Sequence, residues 1–412
     1  MNRIFFSLVI GGLLTIIDTY PAYSKLLPAK GNKYAAGIIT DPLVRVDHPK
    51  SNLPVIKALE DALTLSRVQH DGTVHTIAVL QDDGDKVTGV DISLELNRYD
   101  SNSFDVIKNL AFEEVVKLVR SSSRKLTVKY GDLLPSVAGN KHLAIGINYA
   151  EHGKGTGQVK PFMFPKLVKT DPVIHQLNYT EGWLLDHEVE LGIVFPSEVR
   201  STDALDKTMI GFVVVNDFTD RATLMRKMDS QDVTGGKGFP DAKSKNGFLP
   251  TGPYLVIPRD WRSFVQELQL KLTVNGEVRQ NGNARDMVWN INKIIDKSLA
   301  VKGESKSYYQ DKMVKLFEGD GMPANSIVIT GTPAGVVFNA PSTGFIVGRV
   351  TKYIFTGQFL SLKMHPYILK QYLKKELKNP RYLKPGDHVE TSITYLGTIR
   401  TEVKDVEGNI AK

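Results

Sequence analysis

The stretch MIGFVVVND, residues 209 to 217, is an unbroken apolar run that ends in an acid. Such a run reads as a strand buried on both faces, so the fold has to pack other elements on either side of it. An acid emerging from a buried strand is a placed group. A second segment carries a related constraint. In DHEVELGIVF (186 to 195) Val189, Leu191, Ile193 and Phe195 face one way, and Asp186, Glu188 and Glu190 face the other. Side chains two apart on one strand lie about 7 Å apart at their bases, and two carboxylates so placed repel unless solvated, protonated or bridged by a cation. Alone, this pattern fits a solvated strand face. With Asp217 ending the next strand, it becomes a set of three converging acids without an imidazole or thiolate partner, an all-oxygen donor set suited to Mg²⁺, Mn²⁺ or Ca²⁺.

The chain has 412 residues and no cysteine. Disulfides, thiolate nucleophiles and cysteine-based zinc sites are thereby excluded. Further strands are expected at TVHTIAVL (73 to 80), HLAIGINY (142 to 149), LQLKLTVNGEVRQ (268 to 280), SIVITGTPAG (326 to 335) and HVETSITYLGTIRTEV (388 to 403). Asn275-Gly276 is a two-residue hairpin signal, and Pro385-Gly386-Asp387 marks a turn into a strand. A helix is expected over SFDVIKNLAFEEVVKLV (103 to 119), followed by a polar linker at 121 to 133. These signals predict an α+β, mainly β architecture, with a small mixed domain at 25–135 and a larger one at 136–412.

Residues 1–24 read as a cleavable export signal: Arg3, the apolar run 4 to 17, then Ala22-Tyr23-Ser24 before Lys25. The apolar run is shorter than the ~20 residues needed to span a bilayer, so export is favoured over an uncleaved anchor. Arg3 and Asp18 cancel, and the net charge of +7 therefore belongs to the mature chain. That balance favours acidic ligands or surfaces without specifying one, and no nucleic-acid partner is expected. Two segments interrupt the strand pattern, a charged, loop-like one at 297–322 and a Lys- and Tyr-rich one at 340–384. The second reads either as an exposed basic helix packed on the domain or as a surface for an anionic membrane or acidic partner.

Cationic groups follow the acids closely. Arg221 comes four residues after Asp217, and Lys243 sits in the Gly/Pro-rich DAKSKNGFLPTGP (241 to 253), where an exposed lysine is the default. ITGTPAG (329 to 335) ends a strand in a Gly-rich turn whose N–H groups and Thr332 hydroxyl fit a carboxylate, or form a generic loop.

Taken in order, GINYAEHGKG (146 to 155), FMFPKL (162 to 167), DHEVELGIV (186 to 194), VVNDFTDR (214 to 221) with DAKSKNGFLPTGP, and VITGTPAGV (328 to 336) followed by KPGDHVETSI (384 to 393) resemble the fumarylacetoacetate hydrolase family. The resemblance implies a mixed β-roll or sandwich, usually homodimeric, with one divalent ion, generally Mg²⁺, in each site. It assigns Glu188, Glu190 and Asp217 to the metal, Lys243 and His152 to catalysis, and Arg221, Thr332 and Lys166 to substrate. The implied reaction is hydrolysis of a carbon–carbon bond in a small diketo or acylpyruvate-type acid, with His152 activating water. Many small members carry a Glu three residues after that histidine, where this chain has Gly155. A 2-oxo acid decarboxylase or enol isomerase on the same site, or a catalytically silent exported binding protein for a 2-oxo acid, stays open beside the hydrolase.

Overall fold

A computed structural model describes residues 56–151, 160–229 and 232–405. The segment expected to be an export signal, and His152, lie outside the described residues. The molecule is a strand-rich mixed α/β fold built on two large sheets. The larger has eleven strands; from one edge its order is Lys125–Lys129, Lys86–Asp91, Thr73–Asp82, Ala62–His70, Tyr254–Pro258, Gly211–Asn216, Val189–Val194, Ile327–Ile329, His142–Gly146 and Phe162–Lys166, with Leu133–Leu134 paired to Ala62–His70. The smaller runs Glu277–Asn283, Gln269–Val274, His388–Ile393, Gly397–Asp405, Ile174–Tyr179.

The two apolar patterns behave as their periods require. Gly211–Asn216 and Val189–Val194 are central neighbours and are buried along their whole length. Val189, Leu191, Ile193 and Phe195 enter one core with Leu270, Leu272, Val389, Ile399 and Val403 of the smaller sheet. Val194, Val213 and Val215 face the opposite way, into a second core that helices cover through Phe104, Val106, Val115 and Val119. Gly192 lies on that second face because there is no room for more: an added Cβ would sit 2.6 Å from methyl groups of Ile327 and Val213. The Asn275-Gly276 turn has φ of 51° and 81°, the paired positive values that let a two-residue loop follow the twist of its strands.

Several local expectations are corrected. The helix expected over 103 to 119 is two helices, Ser103–Val106 and Phe112–Ser121, because Asn109 adopts a left-handed φ of 68° between them. The polar stretch at 121 to 133 is not a linker; it contains the edge strand Lys125–Lys129, half-buried at every second residue. Its strand pairs onward through Ala62–His70 to Tyr254–Pro258, so hydrogen bonding crosses the boundary expected near 135 without a break. The segment 297–322 holds a hairpin, Ser305–Tyr309 with Lys312–Lys315, after the helix Ile291–Ala300. The segment 340–384 folds as two helices, Thr343–Phe355 and Met364–Glu376.

His142, at the start of its strand, is 3% exposed and its Nδ1 accepts from the Ile327 N–H at 3.2 Å. Burial, and then the nearby Lys166 charge, lowers this imidazole from its ordinary 6.5 to about 4. The unfolded chain therefore takes up a proton near pH 6.5, while the folded chain does so only near pH 4. Stability from the neutral ring is present above pH 6.5 and is lost as pH falls towards 4, by about 3 kcal/mol. Urea midpoints across this window should fall less steeply for His142→Gln than for the parent; parallel curves would show that the ring is protonated in the fold.

Candidate functional site

The antiparallel register that pairs Val189 with Asn216 and Gly192 with Ile329 brings three strand ends together. Glu188 and Glu190 flank the start of one strand, Asp217 follows the end of the next, and Gly331 follows the third. Oxygens of Glu188, Glu190 and Asp217 lie within 4.8 Å of one another, and all three residues are buried. Glu188 is held from its backbone, its N–H donating to Asn216 Oδ1 at 3.0 Å while its carbonyl accepts from the Asp217 N–H at 2.9 Å.

Three cations face these acids. Lys243 Nζ donates to Glu188 Oε2 and, at 2.6 Å, to Asp217 Oδ2. Lys166 Nζ donates to Asp217 Oδ1 and, at 2.8 Å, to the Phe248 carbonyl. Arg221 donates to Asp186 Oδ2 at 2.9 Å through Nε and to Glu188 Oε1 through its terminal nitrogen. Asp186 in turn accepts from the N–H groups of Val337, at 3.0 Å, and Phe338, at 3.1 Å. Lys243, expected in an exposed loop, is 3% exposed because the helix Phe239–Lys243 turns it inward.

Burial works against every one of these charges, and the neighbours decide the outcome. Burial lowers Lys243, but Asp217 and Glu188 outweigh it and leave the ammonium raised above 10.5. Burial likewise opposes Arg221, and Glu188 and Asp186 prevail. At Lys166 burial prevails over Asp217, helped by the Lys243 charge, and the pKa falls below the ordinary 10.5. Glu190 is pushed well above the carboxylate range by burial and then by Asp217 and Glu188. The Gly331 N–H donates to its Oε2 at 2.5 Å.

Gly331 has φ of +96°, and an added Cβ would lie 2.8 Å from Asn148 Cβ, so only glycine brings this N–H to Glu190 without strain. Thr332 is 2% exposed and its hydroxyl is committed within the fold, donating to the Val189 carbonyl at 2.8 Å and accepting from Gln280 Nε2 at 2.8 Å. Gln280 also accepts from the Val189 N–H at 2.9 Å, and so ties the glutamate strand to the TGTP turn. The structure thus gathers Glu188, Glu190, Asp217, Lys166, Lys243 and Arg221 into one cluster and sets Thr332 behind it.

Asp186, Gln280 and Tyr149 were not singled out as site residues from sequence. Asp186 shares the alternation of the two glutamates, which was the available signal. Tyr149 is 4% exposed, its hydroxyl has no hydrogen-bond partner among the described residues, and burial followed by Glu190 and Asp286 raises its pKa. An orphaned hydroxyl beside an acid cluster is a group ready for a ligand or water.

The donor set fits a divalent ion. With Glu190 deprotonated, as a metal ligand must be, Asp186, Glu188, Glu190 and Asp217 exceed Lys166, Lys243 and Arg221 by one negative charge (4 − 3 = 1). A divalent cation would reverse that sign and leave the site attractive to an anion. Hard oxygen donors at this spacing suit Mg²⁺, Mn²⁺ or Ca²⁺.

Comparison with known proteins agrees. The family model for the fumarylacetoacetate hydrolase C-terminal domain matches residues 141–404, which contain every residue of the cluster. A 2,4-didehydro-3-deoxy-L-rhamnonate hydrolase of Sphingomonas sp. (strain SKA58) is 29% identical, over 67% of this chain and 77% of its own. A mitochondrial oxaloacetate decarboxylase of Dictyostelium discoideum is 30% identical, over 53% of this chain and 90% of its own. Among solved structures, a fumarylacetoacetate hydrolase from Exiguobacterium antarcticum superposes with a TM-score of 0.52 at 19% identity, covering 84% of this chain and 100% of that one. With more than half of its length matched by the family model and its strands arranged as in that fold, the chain belongs to the fumarylacetoacetate hydrolase family of enzymes.

Proposed function

We propose that this protein is an exported, divalent-metal-dependent hydrolase that cleaves a carbon–carbon bond in a small diketo or acylpyruvate-type acid. The observation that carries the reading is the buried triad of Glu188, Glu190 and Asp217 beside two buried lysines. Glu188, Glu190 and Asp217 would hold the ion, with Mg²⁺ the preferred occupant. When bound, that ion supplies Lewis-acid polarisation of the substrate's chelating oxygens and offsets charge on the departing enolate.

The remaining work falls to the chain's own side chains. Lys243 and Lys166 present positive charge from a dry site, where it acts on developing oxyanion charge far more strongly than in water. Arg221, clamped by Asp186, fixes the direction of Glu188 and serves substrate only indirectly. The Gln280–Thr332 contact holds the Gly331 N–H against Glu190 and keeps that carboxylate in one orientation. Tyr149, whose hydroxyl has no partner among the described residues, offers it to a substrate oxygen. His152 takes the proton from water, hydroxide adds to the carbonyl carbon, the carbon–carbon bond breaks, and the proton is returned to the departing carbon.

Decarboxylation of a 2-oxo acid is the second reading, favoured by Gly155 in place of a glutamate three residues after His152 and by the similarity to the oxaloacetate decarboxylase. Incubating the Mg²⁺-loaded protein with acylpyruvates, fumarylacetoacetate and oxaloacetate, and identifying products, separates the two. Acyl cleavage products are expected. Carbon dioxide from oxaloacetate alone would replace hydrolase by decarboxylase, and Mg²⁺ binding without turnover of any of them would remove both.

A further inference from the structure

The basic segment 340–384 forms a helical hairpin whose two ends differ in character. Thr343–Phe355 and Met364–Glu376 are joined through the short turn Gln358–Leu360. At its base Tyr372, Leu373 and Tyr382 pack with Leu184, Ala222 and Met225 in a small core of their own. Tyr372 Oη donates to the Asn339 carbonyl at 2.6 Å, and the Phe338 ring lies 5.3 Å from the Arg221 guanidinium. The base is thus joined to the carboxylate site.

At the tip the pattern inverts. Leu360 is 83% exposed and Phe355 72%, the two most exposed large apolar side chains among the described residues, with Phe359 beside them at 55%. Single exposed apolar residues are ordinary; three within six positions at one exposed turn are not. Exposed Lys352 and Lys363 flank the tip, Lys370 and Lys374 continue along the second helix, and Lys378 follows its end. The only acid between 343 and 378, Glu376, is buried and bonded to Lys375 and Asn379, so it leaves the outer lysines uncompensated.

We propose that this tip docks on an anionic lipid bilayer, with Phe355, Phe359 and Leu360 entering the headgroup boundary and the lysines resting on acidic headgroups. An exposed apolar turn flanked by cations fits a deformable anionic surface. A second copy of the chain is a poorer occupant, because a self-complementary contact through this face would bring the same lysines together. No described helix is long and apolar enough to cross a membrane, so the contact is interfacial. Because each hairpin helix is about 20 Å long, a docked molecule carries its carboxylate site close to the bilayer surface. The inference does not depend on which reaction that site performs.

The test uses the purified full chain with vesicles of phosphatidylcholine alone or mixed with phosphatidylglycerol. Sedimentation only with the anionic vesicles, reversed by high salt, is the expected result. Because the apolar stretch 4 to 17 is present throughout, the hairpin's share is read from the combined variant Phe355→Ser, Phe359→Ser and Leu360→Ser, which should bind about tenfold more weakly with an unchanged melting temperature. Leu360→Trp adds a local probe whose emission should be quenched by brominated acyl chains beyond the parent's own quenching. Equal binding by the serine variant, or an unquenched Trp, overturns the proposal. So does a lipid-free oligomer of the parent that the serine variant dissociates, since the tip would then belong to a second copy.

Discussion

Replacing Lys243 by Met is expected to destabilise the metal-free protein by about 3–5 kcal/mol, the usual result of stripping a buried charge of its partner. The size follows from geometry: one ammonium bridges Glu188 and Asp217, and both carboxylates are buried. Without it, Asp186, Glu188 and Asp217 face two cations in a dry site (3 − 2 = 1), with Glu190 held towards its neutral form by burial. Saturating Mg²⁺ should restore much of the loss, because a divalent ion on the same oxygens supplies the missing charge. The Mg²⁺-induced rise in melting temperature should therefore be larger in Lys243→Met than in the parent. Turnover should not be restored, since an electrostatic group of this kind typically accounts for a factor of about 10²–10³. Thermal denaturation with and without Mg²⁺, beside a rate measurement, checks both halves. A Mg²⁺ shift no larger than the parent's would mean that Lys243 and the ion do not share the carboxylates.

Asp217→Asn should have the second large effect, and of the opposite kind. Asp217 is the residue on which both lysines converge, through Oδ1 to Lys166 and Oδ2 to Lys243. Loss of its charge removes one of three proposed metal ligands and leaves Lys166 with only neutral acceptors, the amide oxygen of the new asparagine and the Phe248 carbonyl. Mg²⁺ at a hundred times the parent's Kd stabilises a single-site protein by about 2.7 kcal/mol. That increment should vanish in Asp217→Asn. Asp186→Asn provides the graded comparison: it touches Arg221 and the Val337 and Phe338 N–H groups but is not one of the proposed ligands. Its Mg²⁺ affinity should fall by about 10–100-fold, as for outer hydrogen-bond partners generally. Calorimetric titration of both variants with Mg²⁺ measures the contrast, and equal losses would place Asp186 among the ligands.

The acids and their geometry were open to a reader of the sequence because they rest on local periodicity. Alternation in DHEVELGIVF and the unbroken run in MIGFVVVND depend on residues within one strand, and the antiparallel register then brings Glu188, Glu190 and Asp217 together. The Asn275-Gly276 hairpin was legible for the same reason, since two consecutive positive φ values are a property of two adjacent residues. Where the local signal was ambiguous, tertiary context decided. Asn109 breaks an otherwise helical pattern, and the polar stretch 121 to 133 becomes an edge strand because Lys86–Asp91 offers it hydrogen bonds.

Composition and local pattern alone supply an oxygen-only set of acids, cations close behind, and no cysteine to compete. How those charges pair is set by the packing of distant segments. Asp217 meets Lys166 from a strand across the sheet, Arg221 serves Asp186 and Glu188, and Thr332 is spent on Val189 and Gln280. The physical reason is that a buried charge must find compensation within a few ångströms wherever the chain supplies it, and residues far apart in sequence supply it here.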